Sequence, residues 1–151
     1  MIRLKRVYEP ASGDDGYRVL VERLWPRGVT KSRAALDAWC RDLAPMPELR
    51  VWFGHDPSRW EEFLARYWEE LAEKQELMDA LARKSAGGVV TFVYSSHDPD
   101  HNNAVALKMM IEGKEVSPVG GERPRTGRSR GVRQQGRRHT RTQVSFQEVV
   151  R

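Results

Sequence analysis

The stretch VVTFVYSSHDPDHNNAVALKMMIEG (Val89–Gly113) decides the fold. Its first seven residues, Val89–Ser95, are mostly β-branched or aromatic and show no polar alternation. That is the composition of a strand covered on both faces, and so of a central strand. SHDPDHNN (Ser96–Asn103) is rich in turn formers and leads into a helix over Ala104–Gly113. Val105, Leu107, Met109, Met110 and Ile111 are expected to face inward there, with Gly113 closing the helix. Buried strand, loop and helix together form the unit from which parallel α/β sheets are built.

Outward from this unit, RVLVERLW (Arg18–Trp25) is a second β-rich run, ended by Pro26 and Gly28. IRLKRVYEP (Ile2–Pro10) reads as a first strand. The link between these two strands is short, which leaves both a parallel pair and an antiparallel hairpin open. In SRAALDAWCRDLAP (Ser32–Pro45), the residues Ala35, Leu36, Trp39, Cys40 and Leu43 fall on one helical stripe. The spacing predicts a helix capped by Thr30 or Ser32, with Cys40 as a small buried hydrophobe rather than a nucleophile. ELRVWFG (Glu48–Gly54) is a short turn with Leu49, Trp52 and Phe53 inward, stopped by Gly54.

Asp56 and Pro57 then open the longest helical pattern. Its apolar face runs through Trp60, Phe63, Leu64, Tyr67, Trp68 and Leu71 and resumes at Leu77, Met78 and Leu81. The interruption at Lys74-Gln75 predicts a kink or two consecutive helices. The fold expected is α/β: a small, mostly parallel sheet of three to four strands flanked by helices, over residues 1–114.

Charge divides the chain at the same place. Residues 1–114 carry 17 Lys+Arg against 18 Asp+Glu, whereas residues 115–151 carry 9 Arg against 3 Glu. The overall basicity therefore belongs to the tail, and the folded part gives no electrostatic reason to bind nucleic acid. Residues 115–151 are rich in Arg, Gly and Pro and too poor in apolar residues to offset chain entropy, so a disordered basic tail is expected. Only VSFQEVV (Val144–Val150) has strand character. Weak nucleic-acid binding by this arm is the alternative functional expectation. No long apolar stretch predicts a membrane span or a signal peptide. One cysteine allows no internal disulfide, so a cytoplasmic location is expected.

Parallel α/β sheets bind ligands at the carboxyl ends of their strands. Two strand-to-helix loops lie there: RLWPRG (Arg23–Gly28) and SSHDPDHNN (Ser95–Asn103). If the first strand is also parallel, it adds Tyr8 and Glu9. A third loop, Gly54-His55-Asp56-Pro57, repeats the His-Asp-Pro of residues 97–99. Asp56 and Asp98 are explained by capping alone. The remainder describes an anion pocket: guanidinium forks from Arg23 and Arg27, two helix N-termini, and Asn102 and Asn103. His55 and His101 are the candidates for acid–base work, with His97 as a further possibility. The ligand expected is small and phosphate- or carboxylate-bearing. His55, His97, His101 and Asp100 have no metal-ligand spacing, so no metal is expected, and no motif calls for a cofactor. Trp25 is expected to wedge its loop against the long helix.

The segments RVYEPASGDDGYRVLVERLWPRGV, WFGHDPSRWEEFLARYWEEL and VTFVYSSHDPDHNNAVALK resemble the short, YeaO-like branch of the family called domain of unknown function 488. The resemblance covers roughly residues 2–114 and implies a small bacterial or archaeal α/β protein, cytoplasmic and without an established activity. The family pattern Asp-Arg-Leu-Trp-Pro-Arg-Gly falls on Glu22–Gly28, with Glu22 in place of the usual Asp. The family's histidine after the Trp-Phe-Gly turn falls on His55. Where the longer branch carries Cys-His-Arg, this chain has His101-Asn102-Asn103, so the resemblance offers no thiol chemistry at that position.

Overall fold

The computed structural model describes residues 1–115 and 147–148. Four parallel strands form the sheet: β1 (Ile2–Arg6), β2 (Tyr17–Leu20), β3 (Ala38–Trp39) and β4 (Val90–Tyr94). A two-residue β5 (Gln147–Glu148) adds antiparallel to β3, giving the order β1-β4-β2-β3-β5. It falls inside the Val144–Val150 run. The rest of the expected disordered tail lies outside the described residues. The helices are α1 (Lys31–Ala34), α2 (Pro47–Phe53), α3 (Trp60–Ala72), α4 (Gln75–Gly87) and α5 (Asn103–Glu115).

β4 is central, as its uninterrupted apolar composition predicts, and all five of its residues are buried. It pairs with β1 on one side, Ile2 to Val90 through Arg6 to Tyr94, and with β2 on the other, Tyr17 to Val90 through Leu20 to Val93. A β1–β2 hairpin is thereby ruled out. The ten residues between β1 and β2 span roughly 33 Å when extended, while a five-residue strand is only about 16 Å long. The link can thus run back along so short a strand, and on the way the Thr91 hydroxyl donates to the carbonyl of Asp15 at 2.7 Å.

The expected helix over Ser32–Pro45 does not form. Thr30 caps a single turn, accepting from the Arg33 amide, and Ala35 at φ 46° stops it. The chain then alternates: Leu36, Ala38 and Cys40 are buried while Asp37 and Trp39 are partly exposed. The same apolar positions suit a strand once a sheet edge is available. β2 offers that edge, and its polar groups need partners. Ala38 pairs with Val19, Cys40 N–H donates to Leu20, and Asp37 exchanges bonds with the Arg18 backbone.

Two apolar clusters cover the sheet. The larger joins Val19, Phe92 and Tyr94 to α2–α5 through Phe63, Tyr67, Leu81 and Leu107; the smaller joins Leu20, Val93 and Leu36 on the opposite face. Lys74-Gln75 separates two helices, α3 and α4. Two positions depart from the expected inward stripes. Trp68 is 38% exposed on α3, and Met109 is 45% exposed on α5, whose buried stripe is Ala104, Leu107 and Ile111. Gly113 lies within α5, which continues to Glu115.

Candidate functional site

Because β1, β2 and β4 run parallel, their carboxyl ends open on one side of the sheet. The loops that leave them, with the end of α2, enclose a cavity of about 290 Å³. β2 ends at Leu20, earlier than expected, so Glu22–Gly28 is loop and bends over this opening.

Glu22 fixes the junction of β2 and β4. Its carboxylate accepts from the Ser95 amide at 2.8 Å and from the Ser95 hydroxyl at 2.9 and 2.7 Å. Arg6 works from the other side. Its guanidinium donates to the carbonyls of Ser95 and Ser96, lies over the Tyr8 ring, and donates to His97 Nδ1 at 3.0 Å. Since arginine can only donate, His97 Nδ1 is the acceptor, and the proton of that ring is on Nε2. The Tyr8 hydroxyl donates to the Arg27 carbonyl, clasping the RLWPRG loop to the end of β1.

Most of the predicted site residues line the cavity: Arg23, Arg27, His55, Asn102 and Asn103. Their bonding separates them. Arg23 donates to the carbonyls of Ala44 and Pro45, so it holds the segment entering α2. Asn102 is buried and caps α5, its oxygen accepting from the Val105 amide and its nitrogen donating to the Asp98 carbonyl. Asn103 donates to the Val21 carbonyl at 2.6 Å. The Arg27 guanidinium has no hydrogen bond or ion pair among the described residues.

His55 has φ 57°, a left-handed backbone that a side chain rarely adopts, and its Nδ1 is 3.5 Å from the Ser96 hydroxyl. His101 does not line the cavity. It faces Asp98 through Nδ1 at 2.8 Å and meets the Trp60 ring edge-on. The two expected helix N-termini already have partners. Asp56 accepts from the Ser58 amide at the short turn that leads into α3, and Asn102 caps α5, while Asp98 accepts from the Asp100 and His101 amides of the loop before it. The Ser58 hydroxyl and then its amide hold the Asp56 carboxyl below its ordinary value, and the Asp100 amide foremost does the same for Asp98. The cationic groups that line this cavity among the described residues are thus guanidinium groups.

Two lining residues escaped the sequence reading. Arg6 ends β1 and is at the opening by the same carboxyl-end rule, once β1 is parallel. Arg50, in the last turn of α2, carries no sequence signal; its side chain, like that of Arg27, has no partner among the described residues. Trp25 packs against Trp39 with ring centroids 5.4 Å apart and donates to the Val29 carbonyl, on the sheet face opposite the long helices. Cys40 is buried, and burial pushes its thiol up to about 12. No group of His, Cys, Asp and Glu among the described residues has the geometry of a metal site.

Four guanidinium groups, Arg6, Arg23, Arg27 and Arg50, therefore line the cavity against one carboxylate, Glu22. The fold and this opening define a small parallel α/β domain with a cation-rich cavity at its strand ends. The chain belongs to the domain of unknown function 488 family: residues 1–122 match the family model described as the inactive DUF488-N3 subclade. It is 40% identical over 113 residues to the uncharacterised protein Rv3073c of Mycobacterium tuberculosis, covering 75% of this chain and 95% of that relative. It is also 40% identical over 106 residues to the uncharacterised protein YeaO of Escherichia coli, covering 70% and 92% respectively. No solved structure matches the chain significantly. No helix among the described residues is long and apolar enough to cross a membrane.

Proposed function

We propose that the protein binds a small phosphate- or carboxylate-bearing ligand in the cavity at the carboxyl ends of β1, β2 and β4. The observation that carries this reading is the excess of guanidinium over carboxylate in a concave site. Among the described residues, Glu22 is the one acid lining it and accepts from Ser95, while the Arg27 and Arg50 side chains have no partner. Guanidinium groups hold planar anions through paired N–H donors, and a partly enclosed site strengthens that attraction over bulk water. The reading is one of binding rather than turnover. His101 is outside the cavity, and His55 has a serine hydroxyl at 3.5 Å as its polar contact. The description of the matched family as inactive supports the same view.

Isothermal titration of the full-length chain with inorganic phosphate at low ionic strength tests the proposal. Arg27→Ala is expected to weaken binding by about tenfold or more, the scale of one lost charged hydrogen bond. Equal affinities for the parent and the variant would overturn it, because the tail's arginines are common to both.

A further inference from the structure

Leu24 is the middle of the Arg23–Trp25 tripeptide at the cavity mouth, and it is 59% exposed. An exposed leucine is ordinary in itself. This one lines the cavity on the same short loop as Arg27, and the wall behind it is apolar: Pro26, Phe53 and Phe63 are all buried residues that face the opening. The Phe53 and Phe63 rings stack with centroids 4.4 Å apart, so this wall is rigid. No folding requirement places Leu24 outside both apolar clusters.

Resting on the anion-binding reading above, we infer that the ligand is an organic anion with a compact apolar body, and that Leu24 selects for that body. The acid group is held by Arg27 and Arg50, and the apolar part lies against Leu24, Pro26 and Phe53. A bare inorganic anion leaves that wall in contact with water and gains nothing from it. An aryl or short alkyl group removes apolar surface from water on both partners. The cavity of about 290 Å³ is at the small end for ligand pockets, which suits one ring or a short chain and excludes a dinucleotide. The described lining disfavours a ligand cation, because four guanidinium groups outnumber the single Glu22 carboxylate, whose oxygens are turned to Ser95. The class is therefore a monocarboxylate or phosphomonoester without a compensating positive charge.

The test compares matched pairs on the full-length chain by isothermal titration: benzoate against acetate, and phenyl phosphate against inorganic phosphate. The aryl member of each pair is expected to bind about tenfold tighter, the scale of one partly buried ring. Leu24→Ala should remove about three- to tenfold of that advantage, leave acetate and inorganic phosphate unchanged, and be rescued by Leu24→Met. Leu24 is exposed, so the ligand-free melting temperature should not move. Inorganic phosphate binding as tightly as phenyl phosphate would overturn the inference and leave the anion site standing. No binding by any of the four overturns both. An aryl preference untouched by Leu24→Ala overturns the role given to Leu24.

Discussion

Glu22 and Ser95 bind the carboxyl ends of β2 and β4 together, with both carboxylate oxygens accepting from one residue of the neighbouring strand. The contact does two things at once. It shapes the mouth of the cavity and turns the carboxylate that lines it toward Ser95. Glu22→Gln keeps the shape but removes the charge and one acceptor. Anion affinity should rise about threefold, the scale of one charge removed from a hydrated site. The melting temperature should fall by about 3 °C for the roughly 1 kcal/mol of weakened hydrogen bonding. Titration and calorimetry on the same samples check both.

Arg23 and Arg50 line the same cavity but should behave as opposites. Arg23 donates to the Ala44 and Pro45 carbonyls, so Arg23→Ala should lower the melting temperature of the ligand-free protein by about 3–6 °C. Arg50 has no side-chain partner among the described residues. Arg50→Ala should leave that temperature within about 1 °C and weaken phosphate binding. Thermal unfolding with and without phosphate separates the two roles.

Asp15 governs the acid limb of stability. Burial raises its carboxyl, but bonds from the Ser12 amide, Lys5 and Arg18 outweigh this and hold it below the ordinary value of 3.8. A depressed folded value means the stabilisation is fully present above the unfolded value and is lost as pH falls through the folded one. The stability gap between parent and Asp15→Asn should therefore be constant above about pH 5 and shrink below about pH 4. At neutral pH the gap should be about 3 kcal/mol, because the buried Arg18 guanidinium loses its ion pair with Asp15. Denaturant titrations at a series of pH values measure it.

Cys40 should not react in the folded protein. Its thiol is 4% exposed and raised to about 12 by burial, so almost no thiolate exists at pH 8. A colorimetric thiol reagent at pH 8 should modify less than about a tenth of the protein in an hour, and all of it in guanidinium. Rapid modification without denaturant would contradict this burial.

Much of the domain was legible because its signals are local. The composition of Val89–Ser95 marks a central strand, Asp56-Pro57 marks a helix start, and Gly54, at φ 54°, marks a helix end. Residues 35–43 were not legible. Their apolar spacing satisfies a helix and a strand equally, and the choice is made by the open edge of β2, which lies outside the segment. The site followed the same division. The position of Arg27 at a strand's carboxyl end could be read from the chain, as could the capping role of Asp56; Asp98 instead bonds the loop amides of Asp100 and His101, and Asn102 caps α5. The turn of His101 toward Asp98 and Trp60 could not be read, and neither could the arrival of Arg50 from α2, since both depend on how helices pack.

The place of β4 between β1 and β2 has a consequence for how the chain acquires its structure. β1 has no other strand partner among the described residues, and β2 otherwise has only the two-residue ladder to β3. During synthesis β1, and the edge of β2 away from β3, must wait unsatisfied until Tyr94 has been added. Closing those long loops is an entropic cost met before the ladders to β4 form, so folding is late, cooperative and slow for a domain of this size. A chain cut before Val90 keeps, of the parallel sheet, only the two-residue β2–β3 ladder among the described residues.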